Sequence, residues 1–234
     1  AINHIVDERI DSVMKRTHNR PLPNGRLTPF KAICFASALA LIGFVMLYAL
    51  VNPLTAWLTF SGLVGYSFIY TMYLKRATPQ NITIGGLAGA IPPLLGWTAM
   101  TNEVHPHALL LVLIIFTWTP PHFWALSLWR DIDYAKAGVP MLPVVAGRDV
   151  TRRQIVLYSA LLFPVAVMPY FLGYAGIVYG VASTFLSGLF LLLSLKVWRS
   201  KDEASAKRLF AFSLLYLFLL FATLLGESLV RTVI

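Results

Sequence analysis

The sequence predicts an all-α protein, a polytopic bundle of transmembrane helices with seven complete spans and the end of a preceding helix. Three observations predict it. Charged residues make up only 12% of the 234 positions while hydrophobic ones make up 58%, against about 25% charged in a soluble domain. Seven segments, at 30–51, 55–74, 82–100, 107–129, 154–173, 176–197 and 209–230, are apolar, long enough to span, and free of charge near their centres. A spanning helix needs about 20 such residues, and backbone groups in lipid must bond within their own segment, which a helix achieves. Third, the loops between the segments alternate between basic and uncharged.

The alternation can be read in order. Residues 1–31 hold Arg9, Lys15, Arg16, Arg20, Arg26 and Lys31, and the turn at Asn52-Pro53 holds no charge. Lys75 and Arg76 follow the second segment, and 101–107 has neither Lys nor Arg. Residues 130–153 hold Arg130, Lys136, Arg148, Arg152 and Arg153, and the turn at 173–176 is Gly-Tyr-Ala-Gly. Lys196, Arg199, Lys201, Lys207 and Arg208 come next, and Arg231 falls on the opposite side. Eighteen of the nineteen basic residues thus share one face. The positive-inside rule makes that face cytoplasmic, and one span more or fewer would scramble the pattern. The net charge of +9 therefore reports membrane orientation, and nucleic acid is excluded as a partner. The lone Cys34 lies in an apolar segment, reads as a packing residue and rules out an internal disulfide. The chain reads as one membrane domain over 1–234. It opens in mid-pattern on Ala1-Ile2-Asn3 with no signal peptide in view, so preceding sequence is expected.

Two acidic clusters break the apolar background. Asn3, Asp7 and Asp11 stand at i, i+4 and i+8. On a helix each such step rises about 6 Å and turns about 40°, so the three oxygen-bearing side chains line one face. Like charges so placed repel, and a cation between them reverses the sign. Asp131 and Asp133 form a second pair on the same side of the membrane. Hard oxygen ligands suit Mg²⁺, which takes one or two carboxylates together with substrate phosphates. Carboxylates repel a diphosphate, so metal ions must sit between them, where they stabilise it as it leaves. The plain alternative is a set of solvated loop acids. Lys15, Arg16, Arg20, Lys75 and Arg76 crowd the same face. Arginine suits bidentate phosphate contact, although the same residues also serve to orient helices and touch lipid headgroups. The 196–208 cluster has no acidic partner motif and keeps only that second role.

The string Asn3-x-x-x-Asp7-x-x-x-Asp11-x-x-Met14-x-Arg16-Thr17-x-x-Arg20-Pro21 resembles the first diphosphate–Mg²⁺ motif of the UbiA-type intramembrane prenyltransferases. The stretch from Tyr70 to Trp97, the string Pro120-Pro121-His122-Phe123-Trp124 and the run Gly138-Val139-Pro140-Met141-Leu142-Pro143 narrow the likeness. They resemble the haem branch of that superfamily, the protohaem IX farnesyltransferases or haem O synthases. The resemblance implies transfer of a farnesyl group from farnesyl diphosphate to a vinyl group of haem B. The haem O formed would serve terminal oxidases, with a haem-modifying enzyme or oxidase assembly downstream. It also implies nine spans, of which the first and most of the second would lie upstream of Ala1, and a bacterial cytoplasmic membrane as the location. The superfamily's second motif, Asp-x-x-x-Asp, is here Asp131-x-Asp133, with Ala135 where a later acid would fall.

Carried onto these positions, the resemblance implies that Asn3, Asp7, Asp11, Asp131 and Asp133 hold Mg²⁺, with Asp7, Asp11 and Asp133 catalytic. Arg16, Arg20, Tyr70 and Lys75 would bind the diphosphate. His122, a polar side chain in an apolar span, becomes the candidate haem contact. Its alternative role is a hydrogen bond to a neighbouring helix, freed by a helix break at Pro120-Pro121. Trp97, Trp118, Phe123 and Trp124 could stabilise an allylic cation through their π faces, or serve as packing and interfacial residues. His105 and His107 read as surface residues, and Glu227 and Arg231 as an interfacial i, i+4 ion pair. Three other functions stay open: a prenyltransferase for a quinone precursor or chlorophyll-type ring, a transporter, and a haem-binding subunit without chemistry. Acids gathered at one face and uncharged span centres count against a transporter.

Overall fold

The computed structural model describes residues 2–6, 8–13, 17–67, 78, 80–136 and 138–233, and every regular element among them is a helix. The chain divides into two compact units, Ala1–Val104 with Ile132–Met141, and His105–Asp131 with Leu142–Ile234. Among the described residues, six helical segments are long and apolar enough to cross a membrane, and the protein is an integral membrane protein.

The first unit opens with two short helices, α1 (Ile2–Val6) and α2 (Glu8–Val13), and residues 17–27 form turns. α3 (Pro29–Leu50) starts where Thr28 accepts the Lys31 amide and Pro29 presets the first turn. Its outward residues include Phe30, Leu41 and Leu50, 75%, 65% and 76% exposed, which is a lipid-facing surface. α4 (Pro53–Val64) repeats the device: Asn52 Oδ1 accepts the Thr55 amide at 2.8 Å ahead of Pro53. The Asn52 amide also donates to the Thr98 carbonyl at 2.8 Å, and Thr55 and Thr98 hydroxyls meet at 2.9 Å. These bonds tie the start of α4 to the end of the sixth helix, and Phe44 packs edge-on against Trp57 and Phe60.

The expected span at 55–74 is described only as far as residue 67, so it does not join the six. The expected span at 82–100 is present as one of the six, Ile82–Thr101, built from two helices, α5 (Asn81–Ala90) and α6 (Pro92–Thr101). Pro92 brings no amide and its ring crowds the preceding turn, which separates them at Ile91. α6 ends at Asn102 in the left-handed conformation, φ 55°.

The second unit is built on α7 (Pro106–Ser127), α10 (Arg148–Phe171), α11 (Ile177–Ser200) and α12 (Glu203–Val233). Between the first two lie α8 (Asp131–Lys136), most of which belongs to the first unit, and α9 (Leu142–Val145). α7 is the buried helix of the set, with Trp118, His122, Trp124 and Ala125 inside. The expected break at Pro120-Pro121 is absent: α7 runs straight through both prolines. Burial of the whole turn by neighbouring helices holds it, and the Thr117 and Thr119 hydroxyls bond back to carbonyls within the helix. α10 and α12 begin at Arg148 and Glu203, several residues before the apolar segments they contain. Hydrophobicity marks the buried length of a spanning helix, whereas its polar first turns extend past the bilayer core.

Small polar residues join these helices. Ser159 meets Ser194 at 2.7 Å, Ser187 meets Tyr216 at 3.0 Å, and the Tyr179 hydroxyl donates to the Ala166 carbonyl at 2.8 Å. Gly180 sits so close to Tyr170 that a Cβ there would fall 2.7 Å from the ring.

Candidate active site

The first acidic cluster begins on α1 and ends on α2. Asn3 has a helical backbone, but its side chain, like Asp7 and Arg16, lies outside the described residues. Asp11 is 3% exposed, and a carboxylate so buried requires a cationic partner. Arg20 supplies it: its Nη1 donates to Asp11 Oδ2 at 2.6 Å, and the pair is an ion pair. Thr17 donates its hydroxyl to the Asp11 carbonyl at 3.2 Å. The turns after α2, where the Arg20 amide bonds the Thr17 carbonyl, fold the chain back so that a residue nine positions on reaches the acid. Sequence spacing marked Asp11 and Arg20 separately; their direct contact joins a metal-ligand candidate to a diphosphate-binding candidate.

Tyr70 and Lys75 also lie outside the described residues. The second acidic pair is set by α8. Asp131 at its first position receives two hydrogen bonds from Arg148, Nε to Oδ2 at 2.6 Å and Nη2 to Oδ1 at 2.9 Å. This bidentate fork was missed from sequence, because a seventeen-residue separation carries no local signal. Asp133 sits half-buried two residues further along the same short helix. The helix stops at a glycine-dependent turn. Gly138 takes φ 65° and donates its amide to the Ala135 carbonyl, while the Val139 amide reaches the Tyr134 carbonyl at 3.0 Å. Only a residue without Cβ adopts that angle freely, which accounts for the first residue of the Gly138–Pro143 string.

Among the described residues no three His, Cys, Asp or Glu side chains gather closely enough to hold a metal ion. The donor types at Asn3, Asp7, Asp11, Asp131 and Asp133 are nonetheless the hard oxygens that Mg²⁺ takes. A buried Asp11 carboxylate already balanced by a cation fits that chemistry.

In the second unit His122 is 6% exposed. Its ring is stacked between Trp118, at 4.3 Å and 18°, and Phe210, at 4.6 Å and 22°. Its Nδ1 lies 2.6 Å from the Ser213 hydroxyl on α12, and Trp118 Nε1 donates to the Ser213 carbonyl at 2.9 Å. Ser213 was not singled out from sequence; the available signal was a hydroxyl in the middle of an apolar span. Of the aromatic candidates, Trp124 is fully buried and packs edge-on to Tyr158, while Phe123 is 42% exposed. His107 stacks on Tyr174 at 4.7 Å, and His105 Nδ1 accepts the His107 amide, with both residues partly exposed at the start of α7. Glu227 accepts the amides of Gly176, at 2.8 Å, and Tyr179, so its carboxylate caps α11. The Arg231 side chain lies outside the described residues.

Comparison with known proteins gives the family and the fold. A sequence model of the UbiA prenyltransferase family matches residues 1–222. The chain is 62% identical over 225 residues to the Protoheme IX farnesyltransferase of Colwellia psychrerythraea, covering 96% of this chain and 74% of that one. It is 56% identical over 227 residues to the enzyme of the same name from Idiomarina loihiensis, covering 97% and 76%. In fold it is similar to a structure described under the biosynthesis of digeranylgeranylglyceryl phosphate synthase in membranes, with TM-score 0.79 and 20% identity, covering 97% of this chain and 79% of that one. It is similar too to a UbiA homologue from Aeropyrum pernix K1, with TM-score 0.71 and 20% identity, covering 97% and 83%.

Proposed function

The chain belongs to the UbiA prenyltransferase family, and we propose that it farnesylates a vinyl group of haem B, using farnesyl diphosphate, to give haem O for terminal oxidases. The observation that carries this reading is the 62% identity, over nearly the whole chain, to a protein named Protoheme IX farnesyltransferase. The buried Asp11–Arg20 pair supports the diphosphate half of it.

In the reaction the allylic C1–O bond breaks and its electron pair leaves with the diphosphate. The vinyl π electrons attack C1, and water adds to the cation left beside the porphyrin, losing a proton. Arg20, with Arg16, Lys75 and Tyr70, neutralises and orients the departing diphosphate. Asn3, Asp7 and Asp11, together with Asp133 and Asp131, are the residues that would hold Mg²⁺. When bound, Mg²⁺ supplies charge neutralisation to the leaving diphosphate. Trp118, Phe123 and Trp124 give an apolar, π-rich wall that keeps water from the first cation, and His122 contacts the haem. The basic loops support a site on the cytoplasmic face of a bacterial inner membrane by the positive-inside rule, from which haem O would pass to a haem-modifying enzyme or oxidase assembly.

The test uses membranes containing the full-length protein, incubated with labelled farnesyl diphosphate and either haem B or 4-hydroxybenzoate. Label is expected in haem. Label in the quinone precursor with haem unmodified would overturn the assignment. Undiminished haem O formation by an Asp7→Asn, Asp11→Asn double variant would remove the metal–diphosphate role of that cluster.

A further inference from the structure

The hydrogen bonds at Ser213 decide which nitrogen of His122 carries the proton. The Ser213 hydroxyl stands 2.6 Å from the Phe210 carbonyl oxygen and 2.6 Å from His122 Nδ1. Two oxygens at that separation must share a hydrogen, or their lone pairs repel. A carbonyl has none to give, so the single hydroxyl hydrogen of Ser213 points at Phe210. The hydroxyl oxygen is then an acceptor towards His122, and the bond needs a hydrogen on Nδ1. In the neutral ring this leaves the lone pair on Nε2, which has no hydrogen-bond partner among the described residues.

The surroundings hold that state. Trp118 and Phe210 stack on the imidazole and Phe123 meets it at 5.0 Å in an edge contact, so an incoming group reaches the ring along its edge, in the plane where the Nε2 lone pair lies. Trp118 also anchors the Ser213 backbone through its indole N–H, so the residue that sets the tautomer is itself fixed on both sides. Ser213 is fully buried, and water does not compete for the hydroxyl. A buried histidine with its second nitrogen oriented by a hydrogen bond is how proteins present imidazole to a metal.

We propose that Ser213 is a positioning residue that holds His122 with its proton on Nδ1 and offers Nε2 as an axial ligand to the iron of the haem substrate. The ligand half rests on the haem reading given above; the tautomer half stands without it.

The experiment separates the two. Full-length protein labelled with ¹⁵N-histidine is purified in detergent, without haem. The chain has five histidines, and the spectrum of His122→Ala identifies the signals of residue 122. The wild type is expected to show a protonated Nδ1 and a bare Nε2. A proton on Nε2 would overturn the proposal. Ser213→Ala is expected to lose the preference and Ser213→Thr, which keeps the hydroxyl, to retain it; an unchanged preference in Ser213→Ala would count against the residue.

Ferric haem B is then titrated into each variant and its absorption and electron paramagnetic resonance spectra recorded. The wild type should show an imidazole-ligated iron, His122→Ala should lose that signature, and Ser213→Ala should bind haem 10–100-fold more weakly. An iron signature unchanged in His122→Ala overturns the ligand role while farnesylation of haem by the wild type can still stand. Failure of the wild type to farnesylate haem at all removes the substrate reading, and the ligand role falls with it.

Discussion

Arg20 reaches back nine residues to place its Nη1 2.6 Å from Oδ2 of Asp11. A residue suited to phosphate and a residue suited to metal thus hold each other. Arg20→Ala removes the partner of a buried carboxylate, which costs about 1–3 kcal/mol, and also removes a donor to the diphosphate. The expected outcome is a lower melting temperature in detergent together with a fall in kcat/KM for farnesyl diphosphate on the order of 10²-fold. Arg20→Lys should recover stability better than turnover, because lysine keeps the charge and loses the planar fork.

Asp131 is gripped by both arms of Arg148, whereas Asp133 stands two positions on in the same helix. Asp133→Asn should therefore reduce haem O formation by on the order of 10²-fold, and Asp131→Asn by about tenfold or less. Asp131→Asn and Arg148→Ala should also be non-additive, since each removes the same bidentate contact. Steady-state rates of the two single variants and the double variant check this.

Gly180 packs its Cα against the Tyr170 ring, with room for a hydrogen and nothing larger. Gly180→Ala should destabilise the second unit by about 1–3 kcal/mol through overpacking. Adding Tyr170→Ala should relieve part of the loss, and thermal unfolding in detergent measures both.

Asp202 starts α12: its carboxylate accepts the Ser205 amide at 2.6 Å and the Ser205 hydroxyl at 3.2 Å. The backbone bond from Ser205 comes first among the causes that hold its pKa below the ordinary value of 3.8. A lowered folded pKa gives stability that is present above the unfolded value and is lost as pH falls through the folded one. Unfolding followed from pH 5 downward should accordingly show a shallower acid loss in Asp202→Asn, which starts from a lower stability at neutral pH.

Much of this architecture could be read from the chain. Apolar length located six of the seven expected spans, the one at 55–74 lying partly outside the described residues, because lipid leaves the backbone no other solution, and the Thr28-Pro29 and Asn52-Pro53 starts behaved as their residue types dictate. Pro92 and Pro120 show where that reading stops. Both precede another proline in an apolar run, yet one divides two helices and the other lies inside one. Neighbouring helices decide between these outcomes, and a linear pattern carries no record of neighbours. The same limit applied at the site. Asp11, Arg20 and His122 announced themselves as charged or polar residues in unusual company. Arg148 and Ser213, which hold their partners from 17 and 91 positions away, had no such company in sequence.

The serine contacts Ser159–Ser194 and Ser187–Tyr216 bear on how the second unit comes together during synthesis. α10, α11 and α12 are each apolar enough to enter the bilayer singly, and none of these side-chain bonds can close until the helices meet laterally. In double-mutant cycles such bonds contribute about 0.6 kcal/mol each, too little to decide insertion but enough to select one pairing from several. Alanine at these positions would leave the topology of the nascent chain intact and lengthen the interval before its helices dock, the interval in which membrane quality-control proteases act.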